Sequence, residues 1–133
     1  MSLLESGENY LETILVLSKT KDGVHAIDIV NHLNYSKPSV SIMLKKLKEA
    51  GYITIDKESH ISLTTSGLEI ANKIYERHQI LTNFFLKIGV SNEIAEEDAC
   101  KIEHDLSDET FNAIKNILNK SWKALFFIKK AIN

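Results

Sequence analysis

The chain has 133 residues, 44% of them hydrophobic and 26% charged, with a formal net charge of −2, one cysteine, one proline and five glycines. That length supports a real core but not two full-sized domains, and a lone cysteine cannot build an internal disulfide framework, so a reducing, cytoplasmic setting is expected. No apolar run reaches the roughly 18 residues of a membrane span, and the opening MSLLESGENYLETILVL carries acids where a secretory signal needs a basic start.

Tyr10, Leu11, Ile14, Leu15 and Leu17 recur at helical spacing, which predicts a first helix from about Gly7 to Lys19, closed by Lys21-Asp22-Gly23. Ala26, Ile29, Val30 and Leu33 predict a short second helix, and Val40, Met43, Leu44 and Leu47 a third. Between them Ser36 can cap and Pro38 fits a first turn, whose amides lack helical partners. Gly51 suits the left-handed position that ends a helix. From Tyr52 the period falls to two: Ile53 and Ile55, then Ile61 and Leu63, alternate with polar residues around Lys57-Glu58-Ser59, the pattern of a β-hairpin.

Ser66 and Glu69 stand at capping-box spacing before a long helix running to Gly89 along Leu68, Ala71, Ile74, Tyr75, Leu81, Phe85 and Ile88. Ser91 or Asn92 should cap a fifth helix to about Asp105, Ser107 a sixth to about Leu118, and SWKALFFIKKAI a last one. Phe111, Ile114, Ile117, Leu118, Trp122, Leu125, Phe126 and Ile128 are more apolar load than one small lobe needs, so part of it should meet a second subunit.

Three helices and a hairpin in this order make a winged helix-turn-helix, with the third helix in the DNA major groove. Lys37 to Lys48 carries four lysines and no acid, although the chain as a whole is slightly acidic. Ser36, Lys37, Pro38, Ser39, Ser41, Ile42, Lys45 and Lys46 are the candidate DNA contacts, the lysines and serines for phosphates and base edges. Ile42 forms no hydrogen bond, but could pack on a thymine methyl.

Ser91 to Glu109 carries eight acids against Lys101. There Ala95, Ala99, Ile102 and Leu106 form a packed stripe, flanked by Glu96, Cys100, Glu103 and His104. A thiol, a carboxylate and an imidazole at i, i+3 and i+4 project together and suit first-row metals, but one helix does not close a site. His78, on the apolar side of the fourth helix, is a candidate partner; Asn9 and Glu12, at i and i+3 near Glu5 and Glu8, read in isolation as a solvated acidic face.

Taken in order, GENYLETILVL, SKPSVSIMLKKLKEAGYI, LTTSGLEIA, ERHQIL and EEDACKIEHDLSDE resemble the diphtheria-toxin-repressor-like family of metal-dependent transcriptional regulators over nearly the whole chain. The resemblance implies a mainly α fold, with a winged helix-turn-helix and small β-hairpin wing over residues 1–66 and an all-helical metal-binding and dimerisation lobe over residues 67–133. It further implies a homodimeric repressor of metal-uptake genes that binds a double-stranded operator when loaded with Mn²⁺ or Fe²⁺, with Co²⁺ or Zn²⁺ as substitutes in vitro. Carried over by position, the ligands would be Cys100, Glu103 and His104, with Asn9 from the first helix, His78 as a further ligand and Glu12 resembling one of the manganese branch. Two alternatives stand beside it: a winged-helix regulator responding to oxidation at Cys100 or to a small ligand, and, with no separate base or substrate motif in its favour, a metalloenzyme.

Overall fold

The computed structural model describes residues 5–132, with side chains over residues 5–120. In chain order it contains α1 (Glu5–Ser18), α2 (Ala26–Leu33), α3 (Lys37–Glu49), β1 (Ile53–Ile55), β2 (Ile61–Leu63), α4 (Thr65–Lys87), α5 (Asn92–Ile102) and α6 (Asp108–Ile132). Two compact units, Met1–Tyr75 and Glu76–Asn133, divide the chain within α4. The mainly α expectation with a two-stranded wing is met.

In the first unit, the apolar stripes of α1, α2 and α3 converge. Tyr10, Leu11, Ile14, Ile29, Val40, Leu44 and Leu47 are buried together with Val24, Ile53, Ile61 and Ala71. Burying each large aliphatic side chain contributes about 1.5–3 kcal/mol relative to leaving it exposed. The α2–α3 turn forms as its residues dictate: Asn34 takes the left-handed conformation at φ 61°, and Ser36 Oγ accepts a hydrogen bond from the Ser39 amide at 3.3 Å. At the end of α3, Gly51 has φ +83°, while the Tyr52 amide donates to Leu47 O at 3.0 Å and the Gly51 amide to Lys48 O at 3.1 Å. This double bond pattern satisfies carbonyls that the helix itself cannot.

The hairpin is antiparallel, with Ile53 opposite Leu63, Thr54 opposite Ser62 and Ile55 opposite Ile61. Val24 adds a bridge on the outer edge of β2, where the Ile61 amide donates to Val24 O at 2.8 Å. A single apolar residue after the Gly23 turn carries no alternation, so this contact has no signature in the sequence.

Three helix boundaries differ from expectation. The cap of α4 is Thr64 rather than Ser66: its hydroxyl accepts from the Gly67 amide at 3.2 Å and donates to Gly51 O at 2.7 Å. Gly67 is required there, because an added Cβ would stand 2.1 Å from Tyr52 O. The fifth helix ends at Ile102 instead of near Asp105. Beyond Leu118, α6 continues unbroken to Ile132, since Asn119-Lys120-Ser121 contains neither glycine nor proline to stop it. In the second unit Leu81, Ala95, Ala99, Phe111 and Leu118 are buried, whereas Ile117 is exposed; the side chains of Trp122, Leu125, Phe126 and Ile128 lie outside the described residues.

Candidate nucleic-acid interface and metal centre

The first unit presents the outer face of α3 to solvent. Ser36, Lys37, Pro38, Ser39, Ser41, Ile42, Lys45 and Lys46 are all exposed, while Val40, Leu44 and Leu47 point inward. Ile42 is 58% exposed. Between the helix and the wing, Ser41, Lys45 and Lys48 share with Ile55, Ser59 and Ile61 the lining of a groove of about 350 Å³. On the wing, His60 Nδ1 lies 3.4 Å from Asp56 Oδ2 and 3.7 Å from Glu58 Oε2, and the His60 ring meets His25 edge to face at 4.7 Å. Asn9 and Glu12 are half-buried on α1.

In the second unit, α4 and the α5–α6 turn bring His78, Glu103 and His104 together. The Glu103 side chain is wholly buried, yet it is the residue that closes α5. His78 Nδ1 lies 2.8 Å from its Oε2, and His104 Nε2 lies 3.4 Å from its Oε1. Burial pushes the Glu103 carboxyl up, but the facing imidazoles of His104 and His78 outweigh it and hold the group below its ordinary value. Oε1 is buried without a hydrogen-bond partner. The two imidazoles thus face opposite oxygens of one carboxylate, only His78 within a hydrogen bond, and among the described residues no three His, Cys, Asp or Glu side chains gather in a way that could hold a metal ion. Cys100 is exposed on α5.

Arg77 is the residue that sequence reasoning missed. Only 4% exposed, its guanidinium donates to Glu103 O at 3.0 Å, to Leu106 O, and to Asp108 Oδ1 at 2.6 Å. It also lies 5.2 Å from the Phe111 ring centroid. These bonds tie down the backbone that follows the end of α5 at Ile102. The signal was present: Ala71, Ile74, Arg77 and Leu81 fall at intervals of three, three and four and are all buried. An arginine standing on a buried stripe must have partners there.

Two family models match in tandem: the iron-dependent repressor N-terminal DNA-binding domain over residues 2–61, and the iron-dependent repressor metal-binding and dimerisation domain over residues 64–122. Escherichia coli transcriptional regulator MntR is 37% identical over 113 residues, spanning 85% of this chain and 73% of that protein. The chain belongs to the iron-dependent repressor family. An HTH-type transcriptional regulator of Methanocaldococcus jannaschii is also similar, 34% identical over 87% of this chain and 94% of its own length. Among solved structures, the manganese regulator SloR superposes with a TM-score of 0.77 at 28% identity, covering 90% of this chain and 55% of that one. T. acidophilum IdeR gives a TM-score of 0.73 at 26% identity, covering 90% of this chain and 55% of that one. The chain therefore spans about half the length of these solved relatives. The family expectation drawn from the motifs is met: α3 lies in the DNA-binding match, and His78, Cys100, Glu103 and His104 lie in the metal-binding match.

Proposed function

We propose that the protein is a metal-dependent transcriptional repressor that binds operator DNA as a homodimer when loaded with Mn²⁺ or Fe²⁺ and controls metal-uptake genes. The observation that carries this reading is the buried Glu103 carboxylate, faced by two imidazoles and left with an oxygen that no hydrogen bond satisfies. A buried anionic oxygen of that kind is one donor a divalent cation takes, and imidazole and carboxylate donors suit first-row metals; a further donor has to join them, because no three such side chains gather among the described residues. When bound, the cation supplies the positive charge that a buried carboxylate lacks. His78 holds Oε2 through Nδ1 and is, with Glu103, His104 and Cys100, a proposed donor of the second unit. Asn9 and Glu12 are proposed as donors in the first unit. Arg77 holds the backbone of the turn that presents Glu103 and His104.

The exposed lysines of α3 supply the sequence-independent part of DNA affinity and its serines the hydrogen bonds to phosphates and base edges. Metal control requires only that the loaded protein favour the DNA-binding conformation, the coupling being the difference in metal affinity between conformations. No helix among the described residues is long and apolar enough to cross a membrane; the cytoplasm, where the DNA lies, is the proposed place of action, and no catalytic role is proposed.

Anaerobic gel-shift titrations test the reading. Binding to a selected duplex should appear with Mn²⁺ or Fe²⁺, vanish with chelator, and fail with every metal in His104→Ala and Glu103→Ala proteins that still fold by circular dichroism. Sedimentation should show a dimer at micromolar concentration. DNA binding that ignores chelator but responds to peroxide would replace this reading with redox control through Cys100.

A further inference from the structure

The recognition face of α3 has no arginine, asparagine or glutamine, and its hydrogen-bonding side chains are lysines and serines. Arg or Lys is the bidentate partner of guanine, and Asn or Gln that of adenine. Helix α3, KPSVSIMLKKLKE, therefore leaves hydrogen-bonded readout to its lysines and serines. The chain's single arginine cannot serve, because Arg77 is buried in the second unit with its guanidinium held by Glu103 O, Leu106 O and Asp108. What the middle of the exposed face offers instead is apolar. Pro38 and Ile42 are four residues apart, so they lie on one side of the helix one turn from each other, and both are exposed. Ile42 is among the most exposed large hydrophobic side chains of the described residues. Its neighbours one turn on are Lys45 and Lys46, also exposed.

An exposed isoleucine in a basic helix face gains nothing from water and makes no bond to a phosphate. The partner that satisfies both features is a duplex, whose phosphates complement the lysines and whose major groove carries one apolar group, the thymine 5-methyl. We propose that Ile42 is the specificity-determining residue of this protein's operator recognition, reading the 5-methyl group of a thymine in each half-site. This inference rests on the repressor reading and deepens it. It also implies that the base pair under Ile42 is chosen by shape and apolar contact rather than by hydrogen bonds.

The test replaces one methyl with hydrogen. The full-length protein with added Mn²⁺ selects duplexes from a random pool, and each thymine of the selected sequence is then exchanged singly for deoxyuridine, which keeps its base pairing. At one thymine per half-site the native protein should bind the deoxyuridine duplex about fourfold more weakly, the effect of unburying one methyl group. Ile42→Ala, at an exposed position, should bind the thymine and deoxyuridine duplexes equally while retaining the native salt dependence. A selected sequence at which no deoxyuridine exchange has an effect that depends on Ile42 would overturn this inference and leave the repressor reading standing. Failure to select any sequence with Mn²⁺ or, anaerobically, with Fe²⁺ present would overturn both.

Discussion

Replacing Arg77 with methionine, which keeps the length of the stem but removes the guanidinium, should destabilise the metal-free protein by about 3 kcal/mol. Two backbone carbonyls, those of Glu103 and Leu106, lose a charged donor, and hydrogen bonds to charged groups are worth about 1.5–3 kcal/mol each. The Asp108 side chain is 70% exposed, so its ion pair adds at most about 1 kcal/mol. Relief from burying the guanidinium offsets part of the loss, which holds the net at the lower end of what breaking a buried charged contact costs. At a urea slope of about 2 kcal/mol/M the midpoint should fall by about 1.5 M. Equilibrium urea unfolding with chelator present, followed by far-ultraviolet circular dichroism at one fixed protein concentration, reads this directly, since subunit association makes stability depend on concentration. Asp108→Asn is the internal control and should cost less than about 1 kcal/mol. A loss for Arg77→Met no larger than that of Asp108→Asn would show that the carbonyl contacts do not hold the turn.

Lys45→Ala combined with Lys46→Ala should weaken binding to all duplexes alike and reduce the slope of log K against log salt by about 1.8, the counterion release of two phosphate contacts; an unchanged slope would remove this helix face from the interface. At the start of α2, the Asp28 carboxylate accepts from the Lys21 ammonium and, at 2.9 Å, from the His25 amide, and these two bonds, that from Lys21 first, hold it below its ordinary value. Because the folded pKa is the depressed one, Asp28 stabilises the fold above the unfolded carboxylate pKa and loses that contribution as pH falls through the folded value. Asp28→Asn should therefore cost about 1 kcal/mol near neutral pH and flatten the fall of melting temperature between about pH 5 and pH 3; melts whose acid slope is the same for both proteins would exclude this role.

Local patterns determined the order of the elements. The 3.6-residue stripes of α1 to α3, the period-two stretch at residues 53–63, the Ser36 cap and the Gly51 stop are each specified by residues within a few positions of one another, and short-range geometry is what a sequence displays. The grouping of His78, Glu103 and His104 was legible in the same way, because Glu103 and His104 are chain neighbours and His78 sits on a helix expected to pack nearby. Tertiary structure decided the contacts between residues far apart in the chain. Which oxygen of Glu103 faces which imidazole depends on the α5–α6 turn, and that turn is tied to Arg77, 26 residues upstream of the carbonyl it holds. Thr64 displaces Ser66 as the α4 cap because its hydroxyl also reaches Gly51 O, 13 residues away. Val24 joins the wing only because β2 leaves an edge amide to pair with it. In each case a buried or edge polar group had to find a partner, and only the packing of distant segments determined which one.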